Sequence, residues 1–386
     1  MNQPLATPAE RDAALMDRAL QLADDARWHC PPNPAVGCVI ADSHGNVLGE
    51  GRTQATGQAH AEIMALRDVA AKGRDARAAT VYVTLEPCSH QGRTGPCCDA
   101  LIAAGVARVV AAIADPNPRV AGQGIARLRG AGIAVDVGLR EPQAHEMNLG
   151  FFSRMARGRP WVRIKSAASL DGRTALPSGA SQWITSDAAR ADGHLWRARA
   201  GAVLTGVGTV LHDDPLLTAR APGVVRQPDL VILDSRLRTP LQARLWQAAG
   251  RRTLIYTAAD VAGESAQRLR ECGAELVFCT GMNGWIDLAA LLADLARREV
   301  GELHVEAGST LTGAFLRAGL ADELLLYQAP LLLGNGPGIA ALDPPAALAD
   351  AARWHIRDVQ RTGPDLRLIA RLTDVPKPLR AAAKMA

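Results

Sequence analysis

Two short stretches, HAE at positions 60–62 and TLEPCSHQGRTGPCC at positions 84–98, decide the fold expected for the first part of the chain. His60 opens a helical pattern, an apolar strand pattern leads into Cys88, and Cys97 opens a second helical pattern. One histidine and two cysteines are the ligands of many catalytic zinc sites, in which the fourth tetrahedral position stays open. We therefore predict that His60, Cys88 and Cys97 bind one Zn²⁺.

Glu62 stands two residues after the first of these ligands. A zinc ion lowers the pKa of a bound water towards ~7, and a carboxylate beside that water can carry its proton. The order H-x-E, then P-C, then a further Cys is typical of zinc base deaminases, in which the glutamate passes protons to the departing ammonia. Glu62 is therefore the predicted catalytic residue. A structural zinc site with Cys98 or His90 as a fourth ligand is the alternative.

The spacing of the two cysteines is unusual for this class. Zinc deaminases commonly have C-x-x-C, whereas positions 89–96 separate Cys88 from Cys97 here. The spacer contains glycines, His90 and Arg93, a composition that can present main-chain N–H groups and a cation to a phosphate. We therefore expect a phosphorylated substrate.

Length, composition and charge limit the remaining possibilities. A chain of 386 residues exceeds the size at which one core usually keeps growing, so two domains are expected. The net charge is only +4 and like charges form no long block, which argues against a nucleic-acid surface. No apolar run is long enough for a membrane helix or a signal peptide, and an odd total of seven cysteines suits thiols and metal ligands. We expect a soluble cytoplasmic protein.

Strand and helix patterns alternate along the first half, which predicts a layered α/β domain. A helix is expected from Pro8 to about Ala26, and one continuous helix from Glu141 to about Arg157. Between them, strands are expected over 36–40, 47–53, 81–85, 108–113 and 133–137, with a short helix near 124–129. The domain boundary is placed at Gly158–Pro160.

The second half repeats the alternation without a second H-x-E or P-C motif. Strands are expected over 161–165 and 202–205, and a helix that ends near Arg197. Gly206–Thr209 has only G-x-G, so a plain turn is favoured over a nucleotide site there. A strand at 303–306, a small-residue loop and a helix from Leu311 together predict an anion site at the helix N-terminus, suitable for a dinucleotide diphosphate. An ordinary α/β turn is the alternative.

A series of long motifs resembles the bifunctional deaminase/reductase family of riboflavin biosynthesis, RibD, over residues from about 10 to 372. The motifs are NPxVGCVI from Asn33, HAE, TLEPCSHxGRTxPCC, DPNPxVxGxG from Asp115, SLDGRT from Ser169, SQWIT from Ser181, GxxTVLxDDPxLTxR from Gly206 and VEAG from Val305. Two positions depart from the family pattern. Thr53 stands seven residues before His60, where the family often has histidine, and Gly95 stands where a second proline is common.

The resemblance implies two catalytic domains and their cofactors. Residues 1–150 would form a cytidine-deaminase-like three-layer α/β/α domain with zinc. Residues 151–375 would form an α/β reductase domain similar to dihydrofolate reductase with NADPH, and 376–386 a C-terminal tail. The family deaminates a diaminopyrimidinone that carries a phosphoribosylamino group and then reduces the ribosyl unit to ribityl. A cytoplasmic homo-oligomer, dimer or tetramer, is expected, with a phosphorylated pyrimidine as substrate and neither nucleic acid nor membrane as partner.

The resemblance also implies the site residues beyond the zinc ligands and Glu62, and Cys98 would be a bystander. NADPH contacts would be Ala167, Trp183, Thr209, Asp213, Ser235, Gly308, Ser309 and Thr310. Substrate contacts would be Asn33, His90, Lys165, Ser181, Arg197, Leu217, Arg220 and Glu306, with the two arginines able to clamp a phosphate. Lys165, Asp171 and Glu306 remain open as candidates for the acid that protonates the substrate as hydride arrives.

Two other classes of function stay open from the sequence. One is a nucleic-acid base deaminase with an appended binding domain, which the missing basic stripe and the cofactor-like loop disfavour. The other is a zinc-stabilised scaffold without enzymatic activity, which would need the cysteines but has no need of Glu62.

Overall fold

The computed structural model describes residues 7–89, 95–117, 120–281 and 284–372. The predicted substrate contact His90, the adjoining spacer residues 91–94 and the tail 376–386 lie outside the described residues. The chain divides between Gly158 and Arg159 into two compact units. In the described residues no helix is long and apolar enough to cross a membrane.

The first unit alternates helices and strands, as the sequence pattern predicts. Its elements are α1 (Pro8–Ala26), β1 (Gly37–Ala41), β2 (Val47–Arg52), α2 (Ala61–Ala71), β3 (Thr80–Val83), α3 (Cys97–Ala103), β4 (Arg108–Ala111), α4 (Gln123–Gly130), β5 (Ala134–Val137), α5 (Glu141–Met147) and α6 (Leu149–Arg157). In the described part of the unit, the strands form a five-stranded sheet in the order β2-β1-β3-β4-β5. The last three strands run parallel, and β1 is antiparallel to both of its neighbours.

Glycines on neighbouring strand positions let a helix pack closely on each face of this sheet. A Cβ at Gly37 would lie 1.9 Å from the carbonyl oxygen of Ala19 in α1. Gly51 is paired with Cys38, the next residue along β1, so it points to the other face, where its Cβ would lie 2.2 Å from the carbonyl oxygen of Ala61 in α2. The two helices therefore cover opposite faces, and the predicted three-layer α/β/α arrangement is confirmed.

The helix predicted over 141–157 is wrong in one respect, because it is two helices that meet at Asn148. The backbone of Asn148 leaves the helical region, with φ −123°. Its side-chain Oδ1 accepts a hydrogen bond from Ala35 N at 2.8 Å, and its Nδ2 donates to Ala35 O at 2.9 Å. This paired contact fastens the end of the unit to the loop before β1. A helical periodicity cannot reveal it, because the partner lies far away in sequence.

The second unit has a larger mixed sheet. Its elements are β6 (Trp161–Ser169), α7 (Asp187–Arg199), β7 (Ala202–Gly206), α8 (Val207–Asp213), β8 (Asp229–Leu233), β9 (Thr253–Thr257), α9 (Glu264–Glu271), β10 (Ala274–Phe278), α10 (Leu288–Arg297), β11 (Glu302–Val305), α11 (Ser309–Arg317), β12 (Glu323–Ala329), β13 (Trp354–Thr362) and β14 (Asp365–Leu372). Short 3-10 helices cover Arg244–Gln247 and Leu348–Asp350. The turn favoured at Gly206–Thr209 is wrong, because Val207 begins α8 there.

The order of the strands places a crevice at the middle of this sheet. Among the described residues the order is β10-β9-β8-β7-β11-β6-β12-β14-β13. The chain moves outward from β7 to β10 and then returns to insert β11 between β7 and β6. The core clusters place α8 and α9 against one face, and α10 and α11 against the other. Ligands of such open sheets bind beyond the carboxyl ends of the strands, near the point where the order reverses.

We predict that Gly51→Ala destabilises the first unit. The new Cβ would lie 2.2 Å from Ala61 O and 2.3 Å from Ala65 N, so the first turn of α2 has to move away from the sheet. We expect a loss of about 1–3 kcal/mol in the free energy of unfolding, measured by denaturant titration. Gly130→Ala is the matched control, because a Cβ there meets no heavy atom within 4 Å. Equal stability of the two variants would contradict the close approach.

Candidate active sites

The three predicted metal ligands of the first unit lie together. The candidate ligand atoms of His60, Cys88 and Cys97 all lie within 4.8 Å of one another. His60 Nδ1 is 3.6 Å from Cys88 Sγ and 3.4 Å from Cys97 Sγ. In the described part of the chain, this is the group of His, Cys, Asp and Glu side chains with metal-ligand spacing. A nitrogen and two sulfurs at such distances suit a tetrahedral Zn²⁺ that keeps its fourth position open.

Two helix N-termini bring these side chains together. His60 is the N-cap of α2, and Cys97 is the first residue of α3. The N–H of Cys97 donates to Cys88 Sγ at 3.3 Å, and the N–H of Cys98 donates to Cys88 O at 3.2 Å. Cys88 and Cys97 are therefore neighbours in space despite the long spacer between them in the sequence. Hydrogen bonds from Cys97 and His60 lower the pKa of the Cys88 thiol to about 4, which favours the thiolate that a metal needs.

Glu62 lies beside this group in the first turn of α2. Its side chain is only 4 % exposed. Burial, reinforced by the nearby Cys88 thiolate, raises the pKa of the Glu62 carboxyl to about 7. A carboxyl whose pKa lies near neutrality can both accept and release a proton, which is what an acid–base residue must do.

The other predicted residues of this unit have different surroundings. The Cys98 thiol donates to Pro87 O at 3.2 Å, so its hydrogen-bond partner is the main chain. Asn33 lies in the partly buried loop between α1 and β1. Thr53 is buried, and its hydroxyl accepts from Val36 N at 3.1 Å. At this departure from the family pattern, the side chain therefore fastens the end of β2 to the start of β1.

Glu86 was not singled out from the sequence, although it lies next to the metal group in the chain. Its carboxylate is 3 % exposed and accepts four main-chain hydrogen bonds. Oε1 accepts from Gly124 N and Ile125 N, at 3.0 and 3.2 Å, and Oε2 accepts from Asp115 N and Gly122 N, at 3.1 and 3.0 Å. The residue thus holds the β4–α4 loop against the segment that carries Cys88. A charged residue at the end of an apolar strand was the available signal.

In the second unit, the predicted cofactor residues gather along one edge of the sheet. They lie at or just beyond the carboxyl ends of four parallel strands, namely β6, β7, β8 and β11. The set consists of Ala167 in β6, Thr209 and Asp213 in α8, Ser235 after β8, and Gly308, Ser309 and Thr310 after β11. This is the edge at which the strand order reverses, so the structure brings these residues to the expected crevice.

The loop after β11 has the form of an anion site. Gly308 is the N-cap of α11, and Ser309 is its first residue. A Cβ at Gly308 would meet no heavy atom within 4 Å, so a ligand can approach the backbone closely there. The first N–H groups of α11 and its dipole both favour a phosphate at this end.

Trp183, another predicted cofactor contact, is 69 % exposed, and the guanidinium of Arg190 lies 4.5 Å from its ring centroid.

Arg197, Glu306 and Lys165 form a partly buried cluster at the same edge. Arg197 donates to Glu306 through Nε and through Nη2, the latter at 2.9 Å, and its Nη1 donates to Thr218 O at 3.1 Å. Lys165 Nζ lies 3.9 Å from Glu306 Oε2. The fork of Arg197 is thus directed at Glu306. Arg220 is exposed and donates through Nη1 to Thr218 Oγ1 at 2.9 Å.

The pKa values of the three candidates for the acid of the reduction are shifted by different causes. The hydroxyl of Ser169 and the N–H groups of Leu333 and Gly334 donate to Asp171, which lowers the pKa of its carboxyl to about 2. Although burial opposes it, Arg197 holds the pKa of Glu306 well below its ordinary value. Burial lowers the pKa of Lys165, whereas Glu306 counteracts that effect. The two carboxyls are therefore deprotonated at neutral pH, which leaves Lys165 as the candidate donor among the three.

Comparison with known families supports the division into two catalytic halves. Residues 9–113 match the cytidine and deoxycytidylate deaminase zinc-binding region. Residues 160–368, more than half of the chain, match the RibD C-terminal domain.

Individual relatives extend over nearly the whole chain. The riboflavin biosynthesis protein RibD of Escherichia coli is 45% identical over 371 residues, which cover 93% of this chain and 98% of that protein. RibD of Acinetobacter baumannii has a TM-score of 0.86 at 39% identity, covering 95% of this chain and 100% of that one.

A third solved structure carries a more detailed name. The diaminohydroxyphosphoribosylaminopyrimidine deaminase/5-amino-6-(5-phosphoribosylamino)uracil reductase of Thermotoga maritima has a TM-score of 0.84 at 30% identity, with the same coverage of both chains. The candidate metal ligands beside Glu62, the predicted cofactor residues along one edge of the second sheet and these relatives lead to one conclusion. The chain belongs to the RibD family, whose members join a zinc-dependent deaminase and an NADPH-dependent reductase of riboflavin biosynthesis in one polypeptide.

Proposed function

We propose that the chain catalyses the two reactions named for its Thermotoga maritima relative. The first is deamination of diaminohydroxyphosphoribosylaminopyrimidine, and the second is reduction of 5-amino-6-(5-phosphoribosylamino)uracil. The observation that carries the proposal is the convergence of His60, Cys88 and Cys97 beside the buried Glu62. A purely structural zinc site would not need a buried carboxyl at its edge.

For the deamination, His60, Cys88 and Cys97 hold the zinc ion. The bound ion supplies a nucleophilic water at neutral pH. Glu62 takes up a proton at its carboxylate and delivers it to the departing amino group, for which a pKa near neutrality is suitable. Asn33 and His90 contact the pyrimidine and its phosphoribosyl group. Glu86 orients the β4–α4 loop beside Cys88.

For the reduction, bound NADPH would supply the hydride. The residues that would hold it are Gly308, Ser309 and Thr310 at the N-terminus of α11, whose N–H groups suit a phosphate, together with Ala167, Trp183, Thr209, Asp213 and Ser235. The substrate contacts are Lys165, Ser181, Arg197, Leu217, Arg220 and Glu306. Lys165 donates a proton to the substrate atom that gains negative charge, because the other two candidates are deprotonated at neutral pH.

Several coarser expectations accompany this function. The deaminase half corresponds to residues 1–150, the reductase half to 151–375, and 376–386 form a tail. We expect the enzyme to act in the cytoplasm as a homo-oligomer, either a dimer or a tetramer. Ile356 and Val359 are each 54 % exposed on β13, the strand at one edge of the described sheet, and an exposed edge strand can pair with a second copy of the chain.

We predict that Glu62→Gln abolishes deamination, with ammonia release lowered at least about 10²-fold, because the amide cannot carry the proton. Ammonia release and NADPH absorbance are followed in the same reaction on the phosphoribosylamino substrate. Reduction of substrate that has already been deaminated should proceed at the unmodified rate, which is the internal control. Unchanged ammonia release, or faster deamination of cytidine in RNA, would refute the assignment.

We predict that Cys97→Ser loses zinc, whereas Cys98→Ser retains it. The two cysteines are adjacent, but only Cys97 contributes an atom to the metal group, and the Cys98 thiol donates to a main-chain carbonyl that a serine hydroxyl can also reach. Metal content of the purified variants, measured by mass spectrometry, should be about one zinc per chain for Cys98→Ser. Equal zinc content in both variants would show that the assignment of Cys97 as the third ligand is wrong.

We predict that Lys165→Met lowers kcat of the reduction by about 10²–10⁴-fold, since the proton donor is removed. Ammonia release should not change. In the unmodified enzyme the reduction rate should fall as pH rises through the pKa of Lys165, and at a lower pH than an ordinary lysine would give, because burial lowers that pKa. Lys72→Met, which removes a lysine paired with Asp68 on the first unit, is the control. A variant at Lys165 with normal kcat would exclude it as the donor.

A further inference from the structure

The loop that presents Arg220 contains a strained residue. Leu217 has φ +49° in the left-handed region, which is uncommon for a residue with a branched side chain, and it is only 4 % exposed. Such a conformation costs of order 1–3 kcal/mol and persists only where the surroundings impose it. Three residues later, the exposed Arg220 is the predicted phosphate contact. The conformation at Leu217 therefore decides where Arg220 points.

Main-chain groups of this loop are held on both sides of the strained residue. Gln227 bonds both polar groups of Ala219: Oε1 accepts from its N–H at 2.8 Å, and Nε2 donates to its carbonyl at 2.9 Å. His194 Nδ1 lies 3.1 Å from Thr218 O and 3.4 Å from Arg220 N, so the ring of His194 contacts main-chain groups of two residues in this segment. The segment after Leu217 is thus held by His194 of α7 and by Gln227, which lies further along the same loop.

Arg251 fixes the segment at Leu217 itself. Its Nη1 donates to Leu217 O at 2.7 Å, and its Nη2 donates to Leu216 O at 2.8 Å. The same Nη2 lies 3.3 Å from Leu245 O, in the short 3-10 helix on the other side of the guanidinium. One planar fork thus joins two successive carbonyls of the loop to a third carbonyl outside it.

This placement of Arg251 has an electrostatic cost. Its guanidinium is partly buried, and its hydrogen-bond acceptors in the described part of the chain are carbonyl oxygens rather than a carboxylate. Burial and the charge of Arg197 lower the pKa of Arg251 to about 10. The Arg251 guanidinium is thus a cation near Arg197 that has no carboxylate among its hydrogen-bond acceptors in the described residues. Such an excess of positive charge suits a site that binds an anionic group.

We propose that Arg251 is a positioning residue for the reductase reaction: its fork on Leu216 O and Leu217 O sets the loop so that Arg220 meets the phosphate of the substrate. This inference rests on the proposed reductase function and names the device that gives it specificity for a phosphorylated substrate. Among the described residues, the side chain of Arg220 hydrogen-bonds only to Thr218 Oγ1, two residues away, so it does not fix the loop. Arg251 does not itself touch the substrate.

The test compares Arg251→Gln with Arg252→Gln, each as the full chain with zinc and NADPH. Arg252 is the adjacent arginine and pairs with Asp229 at 2.6 Å, outside the loop, so its variant is the matched control for loss of one charge. We expect Arg251→Gln to raise KM for the phosphorylated substrate by about tenfold or more, with kcat changed far less, because displacement of a clamping group weakens binding. Arg252→Gln should keep the unmodified KM, and ammonia release should be normal in both.

Two further variants separate positioning from a general effect of charge or folding. Arg251→Lys keeps the charge but loses the planar fork, so KM should stay raised. If Arg251 acts through Arg220, then Arg251→Gln should add nothing to KM once Arg220 is alanine. A wild-type KM in Arg251→Gln or in Arg251→Lys would overturn the inference. It would also be overturned if the increase in KM of the double variant equalled the product of the increases caused by Arg251→Gln and Arg220→Ala alone. Failure of the unmodified chain to reduce the substrate would instead refute the proposed function.

Discussion

A carboxylate withdrawn from water must accept hydrogen bonds from fixed donors, and each unit uses this requirement to hold its site. In the first unit, Glu86 accepts hydrogen bonds from four main-chain N–H groups, two in the β4–α4 loop and two in the first turn of α4. In the second, Glu306 accepts from Arg197, which also binds the carbonyl of Thr218. An unpaired buried carboxylate would cost several kcal/mol, so the donors cannot move away independently. In each unit, a buried carboxylate and its donors therefore fix the main chain beside the candidate site.

Charged residues lie at both ends of β6 and β11. Those at the amino ends form structural ion pairs, and those at the carboxyl ends belong to the candidate site. Towards the amino ends of these strands, the fully buried Arg163 pairs with Glu302 and with Glu323, and Arg199 also binds Glu302. Towards the carboxyl ends, Lys165 and Glu306 belong to the candidate site. His304 lies between the two sets, opposite Arg163, and is fully buried. Burial lowers the pKa of His304, and its Nε2 lies 3.4 Å from Glu306 Oε1.

Close packing in the first unit serves the metal group in a similar way. Gly51 allows α2 to approach the sheet, and α2 carries His60 at its start and Glu62 in its first turn. The helix therefore presents a candidate ligand and the candidate acid–base group from one end. At the start of α3, the N–H of Cys97 donates to Cys88 Sγ, and hydrogen bonds from Cys97 and His60 lower the pKa of the Cys88 thiol. Geometry and electrostatics around Cys88 thus both suit a metal ligand.

The amino-acid sequence by itself determined the alternation of helices and strands in the first unit, the candidate metal ligands, the position of Glu62 and the family. These features depend on short-range periodicity and on residue types at fixed spacings, which are properties of the local chain. Only the tertiary structure decided which residues support them. Asn148 interrupts a helix and hydrogen-bonds to Ala35, and Glu86 accepts a hydrogen bond from Gly124 N. Arg197 donates to Glu306, 109 residues away. These partners meet because of strand order and register, which one sequence does not reveal, and a buried polar group must find its partner wherever the fold places it.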